Sequence, residues 1–132
     1  MMSILCIEED VRRFLGWGIE ITNAFDGLRE LPTMAMTTGL EDGLQMLRNQ
    51  QFRIVVLGEC DEHERLFPAL KELWGVVENR PRCHVVVDEI VPPTAIERHV
   101  FPAQRVAWCL PQHVPGTICA CVGIAPLEFQ TR

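Results

Sequence analysis

The chain has 132 residues, 48% of them hydrophobic and 23% charged, which is enough apolar material for one packed core and too much for a disordered segment. Twelve Lys and Arg against 18 Asp and Glu leave a formal net charge of −6. That balance excludes nucleic acid or an anionic lipid surface as the main expected partner, because both demand a basic footprint.

Ser3-Ile4-Leu5-Cys6-Ile7 reads as a strand that stops abruptly at Glu8-Glu9-Asp10. Val11, Phe14, Leu15, Ile19 and Leu28 then recur at helical spacing, although Gly16, Gly18 and Thr22-Asn23 predict a break in that helix. Thr33-Met34-Ala35-Met36-Thr37 is a weaker strand candidate. Leu40, Leu44 and Leu47 predict a helix within Gly39–Gln50, with Thr38 as its N-cap and Glu41 and Asp42 near the positive end.

Ile54-Val55-Val56-Leu57, closed by Gly58, is a strand of the kind buried on both faces. Leu66, Leu70, Leu73 and Trp74 mark one face of a helix over about residues 62–78, with Pro68 placed near its start. His84-Val85-Val86-Val87 repeats the buried-strand pattern and ends at Asp88. Pro92-Pro93-Thr94 opens a short helix through Val100, which must stop before Pro102. Arg105-Val106-Ala107-Trp108-Cys109-Leu110 completes the strands. The segment from Pro115 to Pro126 has no amphipathic pattern, and either an edge strand or an irregular helix satisfies it.

Strands alternating with helices predict βα units, a parallel sheet and helices on both faces, in a single domain. In open sheets of this kind the site lies at the carboxyl ends of the strands. That edge gathers Glu8, Glu9, Gly58, Glu59, Asp88, Glu89 and Pro111-Gln112-His113.

With these pieces in place, the chain resembles the receiver domain of bacterial response regulators over roughly residues 3–114. The likeness is carried by Ile4-Leu5-Cys6-Ile7-Glu8-Glu9, the segment Thr38–Leu47, Phe52-Arg53-Ile54-Val55-Val56-Leu57-Gly58, and Leu110-Pro111-Gln112-His113. It implies a five-stranded doubly wound α/β sheet in order 2-1-3-4-5, the flavodoxin-like arrangement, with residues 115–132 as a divergent tail. Receivers take phosphate onto an aspartate beside Mg²⁺ held by an acidic pair. The resemblance puts that pair on Glu8 and Glu9, but the phosphoacceptor position holds Gly58. The switch hydroxyl position holds Asp88, and the lysine position holds Gln112, or Pro111 in the alternative frame. Lys71, the one lysine in the sequence, falls in a different helix.

Glycine supplies no nucleophile, and no lysine neutralises an incoming anion. A phosphoryl group would meet Glu8, Glu9 and Asp88, each like-charge contact at about 4 Å mattering by roughly 1–4 kcal/mol. The expected function is therefore a phosphorylation-independent signalling module that binds a protein partner and is not an enzyme, with no cofactor. Relatives meet partners, and pair with copies of themselves, through their fourth helix, fifth strand and fifth helix. Here that surface is Ile96, His99, Val100, Val106 and Trp108. Trp108 either serves as a switch aromatic or packs under the neighbouring helix.

A different class of function also fits an α/β scaffold, namely a small metal-binding or thiol-dependent enzyme. Glu8-Glu9-Asp10 could take a hard divalent cation, or simply solvate a strand end and favour the next helix start. Clustered carboxylates at Asp88-Glu89 could raise one another's pKa, or sit in a solvated loop. Cys60 and His63 have zinc-ligand types, yet no second close pair completes four ligands. Cys60 with His63 or His113 would make a thiol nucleophile, but no oxyanion hole is legible. The six cysteines show no CxxC pairing, and Cys6, Cys83 and Cys109 read as small buried hydrophobes. The amino terminus lacks a signal-peptide pattern and no apolar run reaches about 18 residues, so the expected compartment is a reducing cytoplasm.

Overall fold

The Val- and Ile-rich runs become adjacent strands because each is apolar on both faces and needs a helix layer above and below. A computed structural model describes residues 2–26, 31–58, 63–88 and 100–123, with the side chains of 63–65 left outside the description. In chain order the elements are β1 (Ser3–Ile7), α1 (Val11–Ala24), β2 (Thr33–Thr37), α2 (Leu40–Asn49), β3 (Ile54–Leu57), α3 (His63–Val77), β4 (His84–Asp88) and β5 (Val106–Cys109). A 3₁₀ turn (Pro111–His113) and α4 (Val114–Cys121) follow. All strand pairs are parallel and the order is 2-1-3-4-5. This is the doubly wound sheet expected from the alternation of elements.

Strand alternation divides the core in two. Leu5, Ile7, Val55, Leu57, Val85 and Val87 face α2 and α3, where they pack with Leu44, Leu47, Leu70 and Leu73. Ile4, Cys6, Ile54, Val56 and Val86 face α1 and α4, against Trp17, Ile21, Val114 and Ile118. Gly43 lets α2 sit close on the sheet, since a Cβ there would lie 2.5 Å from Ile7 Cδ1 and 3.1 Å from Thr37 Oγ1.

Arg105 fastens the end of α3 to the start of β5. Its guanidinium donates to the carbonyls of Val77, Glu78, Arg80 and Cys83 at 2.6–3.2 Å and lies 4.7 Å from the centre of the Trp74 ring. Val77 O and Arg80 O also accept from Arg80 N–H and Cys83 N–H at 2.9 and 3.0 Å, so one planar cation adds to the turn that closes α3 and ties it to Cys83.

Several local expectations are revised, and one open choice is resolved. The break anticipated at Gly16, Gly18 and Thr22-Asn23 does not occur, and α1 runs unbroken to Ala24. Its buried residues are Trp17, Ile21 and Ala24, whereas Val11, Leu15 and Ile19 are 53%, 56% and 65% exposed. The cap of α2 is Gly39 rather than Thr38, with no side-chain bond, and Pro68 lies inside α3 past its first turn. The open choice after Pro115 resolves to a helix that starts at Val114 with proline in its first turn. Leu28, the predicted helix from Pro92 and the end of the tail lie outside the described residues. Among the described residues no helix is long and apolar enough to cross a membrane.

Candidate functional site

Three strand ends and the first turn of α1 converge at the carboxyl edge of the sheet. Glu8 follows β1, Gly58 follows β3, Asp88 ends β4, and Arg13 stands at the start of α1. The backbone brings them close: Glu8 N–H donates to Thr37 O at 2.9 Å, and Gly58 N–H donates to Ile7 O at 2.7 Å. Both bonds continue the ladders beyond the strands, and the second draws residue 58 tightly against β1.

Glycine at 58 is a steric requirement of that approach. A Cβ there would lie 2.6 Å from Ile7 O and 2.9 Å from Glu8 Cδ, and would overlap Glu8 Oε2. The Glu8 carboxylate thus fills the volume that a longer residue at 58 would use. Its Oε1 accepts from Asp10 N–H at 3.0 Å, while Asp10 Oδ1 caps α1 by accepting from Arg12 and Arg13 N–H at 3.0 and 3.2 Å. The acidic run after β1 is therefore occupied in starting the helix.

Arg13 offsets part of the buried negative charge from within. Glu8 and Asp88 are 4% and 0% exposed, and Arg13 Nη1 lies 3.7 Å from Glu8 Oε2 and 3.4 Å from Asp88 Oδ2. Each such pair is worth about 4 kcal/mol of attraction at an effective dielectric near 20, set against the several kcal/mol needed to desolvate a carboxylate. This corrects the expectation that the pocket lacks a cation. Arg13 is that cation, and no spacing rule pointed to it. The one available signal was a basic residue in the first turn of a helix that follows an acidic strand end.

The remaining site residues separate. Glu9 is exposed and forms no buried pair with Glu8. Gln112 is exposed on the 3₁₀ turn and lines an open cleft of about 420 Å³ with Arg13, Trp17 and Asp10. Trp17 Nε1 donates to Pro111 O at 3.0 Å, tying that turn to α1.

The predicted interaction surface also divides. Val106 is 3% exposed and belongs to the core, so it cannot serve as a contact residue. Trp108 is half-buried, its ring 6.5 Å from that of Phe101, which in turn meets Phe67 at 5.8 Å and Trp74 at 6.2 Å. Packing against the α3 layer accounts for it. Val100 is 50% exposed, and Ile96 and His99 lie outside the described residues.

Burial pushes the Cys6 thiol up to about 12, with Glu8 adding to the rise, and pushes Cys83 up to about 11 against the pull of Arg105 and Arg80. Protonated thiols are poor nucleophiles and poor ligands. Cys109 is half-buried rather than buried. Cys60 and Glu89 lie outside the described residues, as does the side chain of His63. Among the described residues no group of three or more His, Cys, Asp or Glu could hold a metal ion.

No family model matches this sequence, and no curated relative matches it. Solved structures do. An orphan response regulator of H. pylori superposes with a TM-score of 0.61 at 18% identity, over 92% of this chain and 96% of its own. A CheY-like receiver domain protein from Methanospirillum hungatei gives 0.59 at 14% identity, over 100% and 99%. An atypical orphan response regulator described as having a phosphorylation-independent regulatory mechanism gives 0.54 at 18% identity, over 94% and 98%. The chain has the receiver fold of response regulators, built on a five-stranded parallel sheet in order 2-1-3-4-5.

Proposed function

We propose that this chain is a phosphorylation-independent receiver-like module that acts in the cytoplasm by binding another protein and catalyses no reaction. The observation that carries this reading is the closed arrangement of Glu8, Gly58, Arg13 and Asp88. The acceptor position has no side chain, and the space beside it is filled by Glu8. Any phosphoryl group would have to separate Arg13 from two buried carboxylates and then face the negative charge left behind.

A module of this kind changes shape only when a partner binds its two conformations with different affinity. Signalling would then follow the partner's concentration instead of a covalent mark. Affinity capture with the whole chain as bait, repeated with and without acetyl phosphate and Mg²⁺, tests this. The reading predicts one stoichiometric protein partner, held equally well in both conditions. Capture that depends on acetyl phosphate contradicts it.

A further inference from the structure

We propose that the chain forms a two-fold dimer by antiparallel pairing of β2 with β2 of a second copy, giving one continuous ten-stranded sheet. β2 is an edge strand, and among the described residues nothing pairs with its outer side. Thr33 N–H donates to Met2 O and Glu8 N–H donates to Thr37 O, so Thr33, Ala35 and Thr37 direct their main-chain groups to β1. Alternation leaves the N–H and C=O of Met34 and Met36 facing outward. Nothing within β2 guards that edge, since Thr-Met-Ala-Met-Thr contains neither a charge nor a proline.

The strand is a palindrome, Thr33-Met34-Ala35-Met36-Thr37, and a palindrome suits a two-fold axis. With Ala35 opposite its own copy on the axis, Met34 of one chain exchanges both main-chain bonds with Met36 of the other. The smallest side chain in the strand lies at the closest crossing. Beside this edge α1 leaves an apolar groove of about 490 Å³ lined by Phe14, Leu15, Ile19, Pro32 and Met34. The dimer covers it, because the two α1 helices approach over the extended sheet and bring the exposed Leu15 and Ile19 of each copy together.

Area and charge both agree with a second copy as the occupant. The exposed parts of Val11, Leu15, Ile19 and Leu31, with the strand edge, come to on the order of 1,000 Å² over two copies, the threshold for a specific interface. On the other face α2 packs against β1 and β2. It carries exposed Glu41 in its first turn and exposed Arg48 in its last, seven residues apart on one strip. An antiparallel two-fold sets Glu41 of each α2 beside Arg48 of its mate, whereas a parallel one opposes like charges.

Sedimentation velocity across the micromolar to sub-millimolar range tests the proposal. The wild-type chain should reach twice its 15.0 kDa mass as concentration rises. Met36→Pro removes an outward N–H and keeps the ladder to β1, and Leu15→Lys places a charge in the joined groove. Each should weaken the dimer at least about tenfold while far-UV circular dichroism shows the fold retained. If either variant unfolds, Ala35→Cys reads the same contact by giving a disulfide-linked dimer under mild oxidation that wild type does not give. A monomer at every concentration overturns the proposal. So does a dimer indifferent to both substitutions, or an Ala35→Cys chain that fails to cross-link.

Discussion

The carboxylate of Glu8 occupies the space beside residue 58 that any side chain there would need, and Gly58 is the residue that permits it. Gly58→Ala should therefore destabilise the fold by about 1–3 kcal/mol through overpacking against Glu8 and the Ile7 carbonyl. Gly58→Asp should cost more, because it adds a carboxylate beside the buried Glu8 and Asp88, and it should not gain phosphate from acetyl phosphate. Urea unfolding checks the first expectation and intact-mass measurement the second.

Arg13 holds two buried carboxylates. Arg13→Met should cost about 2–4 kcal/mol, since it removes a cation that contacts both buried carboxylates. Asp88→Asn introduced into that background should restore part of the loss, giving a coupling energy above about 0.5 kcal/mol in a double-mutant cycle. Additive losses would mean that Arg13 and Asp88 do not interact.

Arg105 is the second cation on which the fold depends, through four carbonyls at the end of α3. Arg105→Lys keeps the charge and loses the planar fork, so it should still cost about 2–4 kcal/mol in urea unfolding. A change under about 0.5 kcal/mol would show that charge alone suffices there.

Burial, reinforced by Arg53 and Arg105 and opposed by a backbone hydrogen bond of Arg82, holds the His84 imidazole below its ordinary 6.5. The unfolded chain then takes up that proton first as pH falls. The contribution to stability is complete above about 6.5 and is lost as pH drops through the lower folded value. His84→Gln should accordingly show a shallower fall in stability between neutral and mildly acidic pH than wild type.

The thiols carry the opposite sign. Cys6 and Cys83 resist ionisation in the folded chain, so stability declines above pH 9.0, where the unfolded thiols begin to lose protons. At neutral pH both should escape alkylation until the protein unfolds, as peptide mapping after a short iodoacetamide pulse would show.

The sheet was legible because Ile54–Leu57 and His84–Val87 are apolar on both faces, a pattern that short buried parallel strands share. The orientation of α1 was not. Val11, Leu15 and Ile19 form one apolar stripe and Trp17, Ile21 and Ala24 another, and periodicity alone cannot say which meets the sheet. Contacts from α4 decide it, and α4 itself was illegible because small residues pack on α1 without an amphipathic stripe. At the site, Gly58 and the two buried acids could be placed from strand ends. Arg13 could not, because its role depends on the first turn of α1 reaching Asp88 at the end of β4, a tertiary fact with no local sequence signature.

The central claim is that this pocket is closed to phosphoryl chemistry, and amide chemical shifts report on it residue by residue. Beryllofluoride with Mg²⁺ added to the ¹⁵N-labelled chain should leave the resonances of Glu8, Arg13, Gly58 and Asp88 where they were. Saturable shifts confined to those residues would contradict the account.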